Sequence, residues 1–260
     1  MLAAGVFVGK TLYGGSSTTA SKFLVVGTNI PFPPFEDYNY STGAYFGFDI
    51  NFSQLIAAQL HRTLVIDNYD VWNALLADIG KGVVDMGASA ITMSGSVGAL
   101  RNASMSFSEP YYEANQALLV RGSNPMTCPK STGCTVANMS SMTIGVQSGT
   151  SSDIWSAAYL VPNETGGGKV TGFSDVPTEM TALTDGALQG VMIDYNIALA
   201  YAANSSGALR VAGIIYTHEY YGFAVAHGDP EGLLPTINFV INQAKQNGTY
   251  QNLLTEWGLG

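Results

Sequence analysis

One arginine stands among small hydroxyl side chains between residues 89 and 112, where the sequence reads SAITMSGSVGALRNASMSFSEPYY. The chain has only four arginines, so an arginine placed among Thr92, Ser94 and Ser96 is not explained as an ordinary surface charge. A guanidinium group can hold both oxygens of a carboxylate, and neighbouring hydroxyl groups can add hydrogen bonds. We therefore expect Arg101 to bind the carboxylate of a ligand.

The overall charge excludes two classes of partner. The net charge is -9, and only 11% of the 260 residues are charged, against about a quarter in an average protein. Nucleic acids and anionic membrane surfaces are bound by clustered lysine and arginine, which this composition does not supply. We expect no nucleic-acid partner, and a length of 260 residues allows one large domain or two lobes.

The two cysteines lie close together in the segment CPKSTGC. The proline and glycine between Cys128 and Cys134 permit the tight return that a disulfide requires. The alternative is a pair of free surface thiols. A metal site is disfavoured because the three histidines are isolated and there is no second cysteine pair. A disulfide favours an oxidising, extracytoplasmic location.

Two further features fit an exported protein. Residues 1–21 are predicted to be a flexible leader or linker, because LAAGVFVG is too short to span a bilayer and a Gly/Ser/Thr run follows it. Seven Asn-x-Ser/Thr motifs make glycosylation possible, although chance also produces such matches in a chain rich in these residues. They begin at Asn39, Asn51, Asn102, Asn138, Asn163, Asn204 and Asn247.

Strand and helix patterns alternate from residue 22 onwards and predict an α/β fold. FLVVGT reads as a strand, GFDINFSQLIAAQLHR as a helix that Asp49 can cap, and VVDMGASAI as a later strand. The same order recurs after residue 140, which predicts two lobes with mainly parallel sheets. We expect residues 22–113 and 220–260 to form lobe 1 and residues 114–219 to form lobe 2. Two crossover strands should join them.

An ordered series of motifs resembles the solute-binding proteins of amino-acid ABC transporters. The series is VGTNIPFPPFE, FGFDINFSQLIA, the spacing from Trp72 to Asp85, SFSEPYY, IGVQSGTS, VMIDY, EYYGFAV and NGTYQNLLTEWG. The resemblance covers about residues 22 to 259. It implies a two-lobed periplasmic-binding-protein-like (type 2) fold, a monomer without cofactor, and a role as an extracytoplasmic receptor that delivers an amino acid to a membrane permease.

The resemblance also implies a role for each residue that binds the amino-acid backbone. Arg101 matches the arginine that pairs with the α-carboxylate, and Thr92 matches a hydroxyl position beside it. Thr150 and Ser151 lie where a strand turns into a helix and would bind the other face of the carboxylate. The α-ammonium group would be bound by the carbonyl of Ala90 and by the acid that ends VMIDY, Asp194.

The ligand's side chain is expected to lie between two aromatic residues, Phe32 and Trp72, beside Asn29 and Gln147. Because Asn29 and Gln147 are uncharged, the sequence favours a neutral polar ligand such as glutamine. Glu36 keeps arginine or lysine open as alternatives, if its side chain turns inward. The chain departs from the family pattern at residues 93–100, where a glycine-rich insertion separates Thr92 from Arg101. Ser94, near the start of this insertion, is a further candidate for binding the ligand.

Other functions were weighed against transport. A few relatives of this fold are dehydratases of the cyclohexadienyl type, but such an enzyme needs a general acid or base in the cleft. Asp194 is the only obvious candidate, and the binding role already occupies it. A ligand-binding sensor domain is a further alternative. We expect a binding protein and not an enzyme.

Overall fold

The computed structural model describes residues 21–260, so the predicted leader lies outside the described residues except for Ser21. These residues form two five-stranded sheets and one short hairpin. The strands are β1 (Phe23–Thr28), β2 (Asp37–Asn39), β3 (Ala44–Phe46), β4 (Thr63–Asn68), β5 (Met86–Gly87), β6 (Met105–Phe107), β7 (Tyr112–Arg121), β8 (Thr143–Gln147), β9 (Lys169–Phe173), β10 (Gly190–Asp194), β11 (Leu209–Tyr221) and β12 (Ala224–Ala226).

The helices cover the faces of these sheets. They are α1 (Phe48–Gln59), α2 (Trp72–Lys81), α3 (Gly95–Arg101), α4 (Val136–Met139), α5 (Ser151–Trp155), α6 (Val176–Thr184), α7 (Tyr195–Asn204), α8 (Leu234–Asn247) and α9 (Thr249–Glu256). After α5 the chain continues as a π-helical turn, Ser156–Leu160, and a 3₁₀ turn, Val161–Asn163. Among residues 21–260, no helix has both the length and the apolar character needed to cross a bilayer.

Each sheet has a parallel part and an antiparallel part. The first sheet has the order β4-β1-β5-β12-β6. Strands β4, β1 and β5 are parallel to one another, and β12 runs antiparallel to both of its neighbours, β5 and β6. The second has the order β11-β7-β10-β8-β9, in which β10, β8 and β9 are parallel. Strands joined by helices give the parallel parts. The two sheets and their helices form the two-lobed α/β fold that the sequence predicts.

Two long antiparallel strands, β7 and β11, connect the lobes. Their pairing is interrupted by a bulge between Ile215 and Glu219, where His218 has a left-handed backbone with φ 49°. The Asn115 side chain fills the interruption by accepting hydrogen bonds from the amides of Thr217 and His218, each at 3.0 Å. The boundaries expected at residues 114 and 220 lie within or beside this pair of strands, and they stay a prediction.

Buried aromatic rings pack around the connection between the lobes. Tyr111 and Tyr221 are each 1% exposed, and Phe35 packs edge-on against Tyr221, with ring centroids 5.3 Å apart. Tyr112 stacks on Tyr221 at 5.9 Å. The apolar core of the first lobe is therefore continuous with one face of the second sheet, which fixes the positions of the side chains above it.

Cys128 and Cys134 form a disulfide in the structure. The loop that carries it is fastened to β11 by backbone bonds from the Cys128 amide to the Ala212 carbonyl and from the Cys134 amide to the Ile214 carbonyl. Gly213 lies between these two acceptors, and a Cβ atom there would approach the Cys128 Cβ to 2.7 Å. The disulfide packs in the outer core of the second lobe, away from the cleft.

Candidate functional site

A narrow cleft lies between the lobes. It contains ten of the eleven ligand-binding residues expected from the sequence, together with one that the sequence analysis did not assign, Ser89. The role of these residues in binding stays a prediction, but the fold brings them to one place. The lining residues are Asn29, Phe32, Trp72, Ser89, Ala90, Thr92, Arg101, Gln147, Thr150, Ser151 and Asp194.

The glycine-rich insertion before Arg101 folds as helix α3, and Arg101 is its last residue. The helix can turn back toward the cleft because Gly98 has no side chain: a Cβ atom there would lie 2.0 Å from the Met93 carbonyl oxygen. The insertion therefore changes the path of the chain between Thr92 and Arg101, but Arg101 still lines the cleft.

Arg101 is a buried cation with few partners. Its side chain is 5% exposed, and its Nη1 donates to the Thr92 carbonyl at 2.7 Å. The guanidinium carbon lies 5.3 Å from the centroid of the Trp72 ring, close enough for a cation–π contact. The buried Nε has no hydrogen-bond partner among the described residues. Because a guanidinium has five N–H donors, most of its hydrogen-bonding capacity is available to an anion.

Burial and nearby carboxylates shift the pKa of Arg101 in opposite directions. Removal from water lowers it, the negative charges of Glu219 and Asp194 raise it, and the resulting pKa is about 10. A group with this pKa is still protonated at neutral pH. The cleft therefore holds a fixed positive charge, and the protein uses little of its hydrogen-bonding capacity.

Glu219 is a buried acid that the sequence analysis did not identify. It lies on β11 beside the bulge, is 7% exposed, and accepts a hydrogen bond from the Thr92 hydroxyl at 2.8 Å. Gln116 on β7 donates to its two oxygens at 3.3 and 3.5 Å and to the Ser151 hydroxyl at 3.2 Å. This network joins lobe 1, both connecting strands and lobe 2 beneath the cleft.

Asp194 faces the cleft from the second lobe, at the end of β10. Its pKa is raised to about 7, first by burial and then by the charge of Glu219, while hydrogen bonds from Tyr221 and Gln116 partly oppose the rise. The Tyr221 hydroxyl donates directly to Oδ1. Asp194 is thus poised between its neutral and ionised forms near pH 7, and a bound cation would favour the ionised form.

A second pair of acids lies beneath lobe 1. Ser89 donates to Glu36 at 2.7 Å, and the Ala90 amide and the Tyr111 hydroxyl donate to Asp49 at 2.9 and 2.8 Å. Burial raises the pKa of Glu36 well above its usual range and that of Asp49 to about 7. Both acids support the cleft from below and do not line it.

The expected helix cap at Asp49 is wrong. The residue lies inside α1, and the N-terminal cap position is Gly47. Asp49 instead fixes the backbone at Ala90, whose φ of 45° is unusual for a residue with a side chain. Glu36 does not turn toward the ligand space either, because it is fully buried and bonded to Ser89.

Hydrogen bonds across the cleft hold its two walls together. The Trp72 indole donates to the Gly149 carbonyl at 3.0 Å, and the Gln147 amide donates to Asn29 Oδ1 at 2.9 Å. The Gln147 nitrogen also donates to the Ser174 carbonyl at 3.4 Å. Since both partners of this nitrogen are acceptors, its orientation is determined, and Gln147 has its amide oxygen left to accept a hydrogen bond from a ligand.

The hydroxyl groups of the second lobe have different roles. Thr150 donates to the Gln147 carbonyl at 2.7 Å, so it mainly stabilises the turn before α5. The Ser151 hydroxyl lies 3.4 Å from the Thr92 hydroxyl across the cleft. Because Thr92 donates its only proton to Glu219 over a shorter distance, Ser151 can donate its own proton to a ligand or to Thr92.

Ser94 is the expected ligand residue that does not line the cleft. Its hydroxyl accepts a hydrogen bond from the Tyr220 amide at 2.9 Å. Ser94 therefore fastens the start of α3 to the connecting strand β11.

Comparisons with known proteins identify the family of this chain. The model of the family described as bacterial extracellular solute-binding proteins, family 3, matches residues 24–260. The chain is 27% identical to a probable histidine-binding protein of Neisseria gonorrhoeae over 91% of this chain and 83% of that protein.

Two similar solved structures have TM-scores of 0.79 and 0.80. The first is an ancestral arginine-binding protein bound to arginine, 28% identical, with 91% of this chain and 98% of that chain covered. The second is an ancestral arginine-binding protein bound to glutamine, 26% identical, with 93% and 100% covered. With its family model matched over nearly the whole described length, the chain belongs to family 3 of the bacterial extracellular solute-binding proteins.

Proposed function

We propose that this protein is an extracytoplasmic receptor that binds a cationic amino acid, with L-arginine as the first candidate, and delivers it to an ABC transporter. The observation that carries the proposal is the placement of Arg101 and Asp194 on opposite lobes of one cleft. An α-amino acid carries a carboxylate and an ammonium group on the same carbon. A single molecule can therefore engage both lobes, provided that they close around it.

The carboxylate end is the better defined of the two. Arg101 offers unused guanidinium donors, including the buried Nε, and Ser151 offers a hydroxyl from the other lobe. A carboxylate held by two parallel N–H donors of a guanidinium forms one of the stronger hydrogen-bonded contacts in proteins. The ligand would supply the negative charge that Arg101 lacks.

Charge balance favours a cationic side chain. Glu36 and Asp49 do not line the cleft and bind neighbouring donors. The carboxylates that act on Arg101 are Asp194 and Glu219, so Arg101, Asp194 and Glu219 set the charge near the ligand. With the ligand's own carboxylate and ammonium in place, this set has one uncompensated negative charge. A guanidinium or second ammonium on the ligand would compensate it.

The other end of the cleft can accept such a group. Phe32 and Trp72 provide aromatic surface, and the free oxygen of Gln147 is a hydrogen-bond acceptor. These groups suit a guanidinium, which stacks on aromatic rings and donates in its own plane. Proteins of this family with arginine or histidine in their names are among the relatives of this chain.

A neutral polar ligand such as glutamine is the second candidate. Asn29 and Gln147 are uncharged. The Gln147 oxygen would accept a hydrogen bond from the side-chain amide of glutamine equally well. A direct comparison of L-arginine with L-citrulline separates the two, because citrulline has nearly the same shape but a neutral urea group.

Isothermal titration at pH 8 should give a lower Kd for L-arginine than for L-citrulline or L-glutamine, by at least about tenfold, because hydrogen bonds from a charged donor are stronger. Tighter binding of citrulline or glutamine would favour the neutral alternative. Absence of binding by all twenty amino acids would contradict the receptor function itself.

Replacing the carboxylate-binding arginine gives a second test. Arg101→Ala should raise the Kd for L-arginine at least about 30-fold, since removal of one partner of a buried charge pair costs about 2 kcal/mol or more. The matched control is Arg62→Ala, because Arg62 pairs with Glu231 at 3.5 Å outside the cleft; its Kd should stay within about twofold. Circular dichroism would verify the fold of both variants, and equal affinities would show that Arg101 is not the carboxylate ligand.

The raised pKa of Asp194 predicts that binding depends on pH. Below a pKa of about 7 the free protein carries a neutral Asp194, which must lose its proton before it can pair with an ammonium group. The affinity for L-arginine should therefore fall as the pH decreases from 8 to 5.5, approaching about tenfold per pH unit.

Titrations in buffers of different ionisation enthalpy should also detect proton release on binding near pH 7. Asp194→Asn should bind more weakly at pH 8 and lose most of the pH dependence. A wild-type Kd that is constant between pH 5.5 and 8 would argue against ion pairing at Asp194.

A further inference from the structure

A second, more open pocket lies at the outer edge of the cleft, where the chain continues past Asn29. Its volume is about 450 Å³. We call it the outer pocket and define it by its lining residues. They are Ile30, Pro31, Tyr38, Tyr40, Tyr45, Asn68, Asp70, Asp175 and Pro177.

Three tyrosine rings form one wall of the outer pocket. Tyr38 and Tyr45 are paired across the β2–β3 hairpin, with ring centroids 4.9 Å apart and an interplanar angle of 54°. Tyr40 packs on Tyr38 at 5.1 Å and 84°, and its side chain is 89% exposed. Rings at such steep angles present faces in more than one direction, which is the arrangement that recognises organic cations by cation–π contacts.

The hairpin holds these rings in place through its own turn. Asn39 accepts hydrogen bonds from the amides of Ser41 and Thr42, at 2.9 and 3.2 Å. The amide of Gly43 donates to the Asn39 carbonyl at 2.8 Å. Tyr40 thus lies on a hydrogen-bonded turn, and the backbone of this turn directs its side chain into solvent.

The charges of the outer pocket are negative and come from both lobes. Asp70 follows β4 in lobe 1 and is exposed, whereas Asp175 precedes α6 in lobe 2. Burial alone would raise the pKa of Asp175, but hydrogen bonds from Thr178 and Ser174 outweigh it and hold the pKa below its usual value. Asp175 is therefore ionised at neutral pH. Among residues 21–260, no lysine or arginine lines the pocket.

We propose that the outer pocket is a second binding site for a small organic cation, whose ammonium or guanidinium group lies against Tyr38, Tyr40 and Tyr45 and between Asp70 and Asp175. The site goes beyond the proposed receptor function, because its lining among residues 21–260 has acids for a cation but no arginine or lysine that would pair with an α-carboxylate. Its ligand is either a second molecule of a cationic amino acid or a free amine.

Such a ligand would also act on closure. Asp70 and Asp175 approach from opposite lobes, and like charges in a shared pocket repel each other when the lobes close. A cation between them removes this repulsion and favours the closed form, which is the form that a binding protein offers to its transporter.

The probe is agmatine, which keeps the guanidinium of arginine but lacks the carboxylate that Arg101 would bind. Isothermal titration at low ionic strength should detect agmatine binding to the wild-type protein and to Arg101→Ala with similar Kd values. The double variant Asp70→Asn/Asp175→Asn should raise the Kd about fivefold or more, and Tyr40→Ser should raise it about two- to fivefold. Asparagine at position 175 still caps α6.

The matched control is Asp185→Asn/Glu256→Gln, which removes two exposed charges outside the pocket and should leave the Kd for agmatine unchanged. With L-arginine as the probe, a stoichiometry of two per chain would identify the second ligand as an amino acid; a stoichiometry of one, with agmatine still bound, would identify it as an amine.

The proposal is overturned if agmatine does not bind, if its binding is lost in Arg101→Ala, or if the outer-pocket variants do not weaken it. Failure of all twenty amino acids to bind would contradict the receptor function and leave the agmatine result to be judged by itself.

Discussion

Burial of a guanidinium with too few partners is the constraint on which the rest of this structure depends. Arg101 is nearly inaccessible to solvent, and the described residues give it one hydrogen bond, an aromatic ring and the field of two carboxylates. A buried charge without adequate partners is costly. The arrangement becomes favourable when an anion occupies the cleft, and this is why a carboxylate ligand and closure of the lobes belong together.

The connecting strands carry this requirement from one lobe to the other. Glu219 is anchored on β11, accepts from Thr92 in lobe 1 and from Gln116 on β7, and Gln116 also donates to Ser151 in lobe 2. Hydrogen bonds therefore link the carboxylate end of the cleft to the strands about which the lobes would move. Asp194 is coupled to the same strands, because the charge of Glu219 raises its pKa and its oxygen accepts a hydrogen bond from Tyr221 on β11.

The sequence predicted the two-lobed fold and most of the cleft because the relevant residues follow strong local patterns. Asp194 ends a buried strand, Thr150 and Ser151 begin a helix, and Arg101 is the one arginine in a stretch of small hydroxyl side chains. What the sequence did not reveal depends on contacts between distant segments. Glu219 lies beside the bulge in β11 and contacts Thr92, and Asp49 supports Ala90 through a contact 41 residues away.

We propose that Arg101 binds the α-carboxylate and Asp194 the α-ammonium of one amino acid. A crystal structure of the protein with L-arginine would test this proposal most directly. We expect both carboxylate oxygens at about 2.7–2.9 Å from guanidinium nitrogens of Arg101, with the ammonium group in hydrogen-bond contact with Asp194. A ligand whose carboxylate lies away from Arg101, with the guanidinium still bonded only to the Thr92 carbonyl, would contradict it.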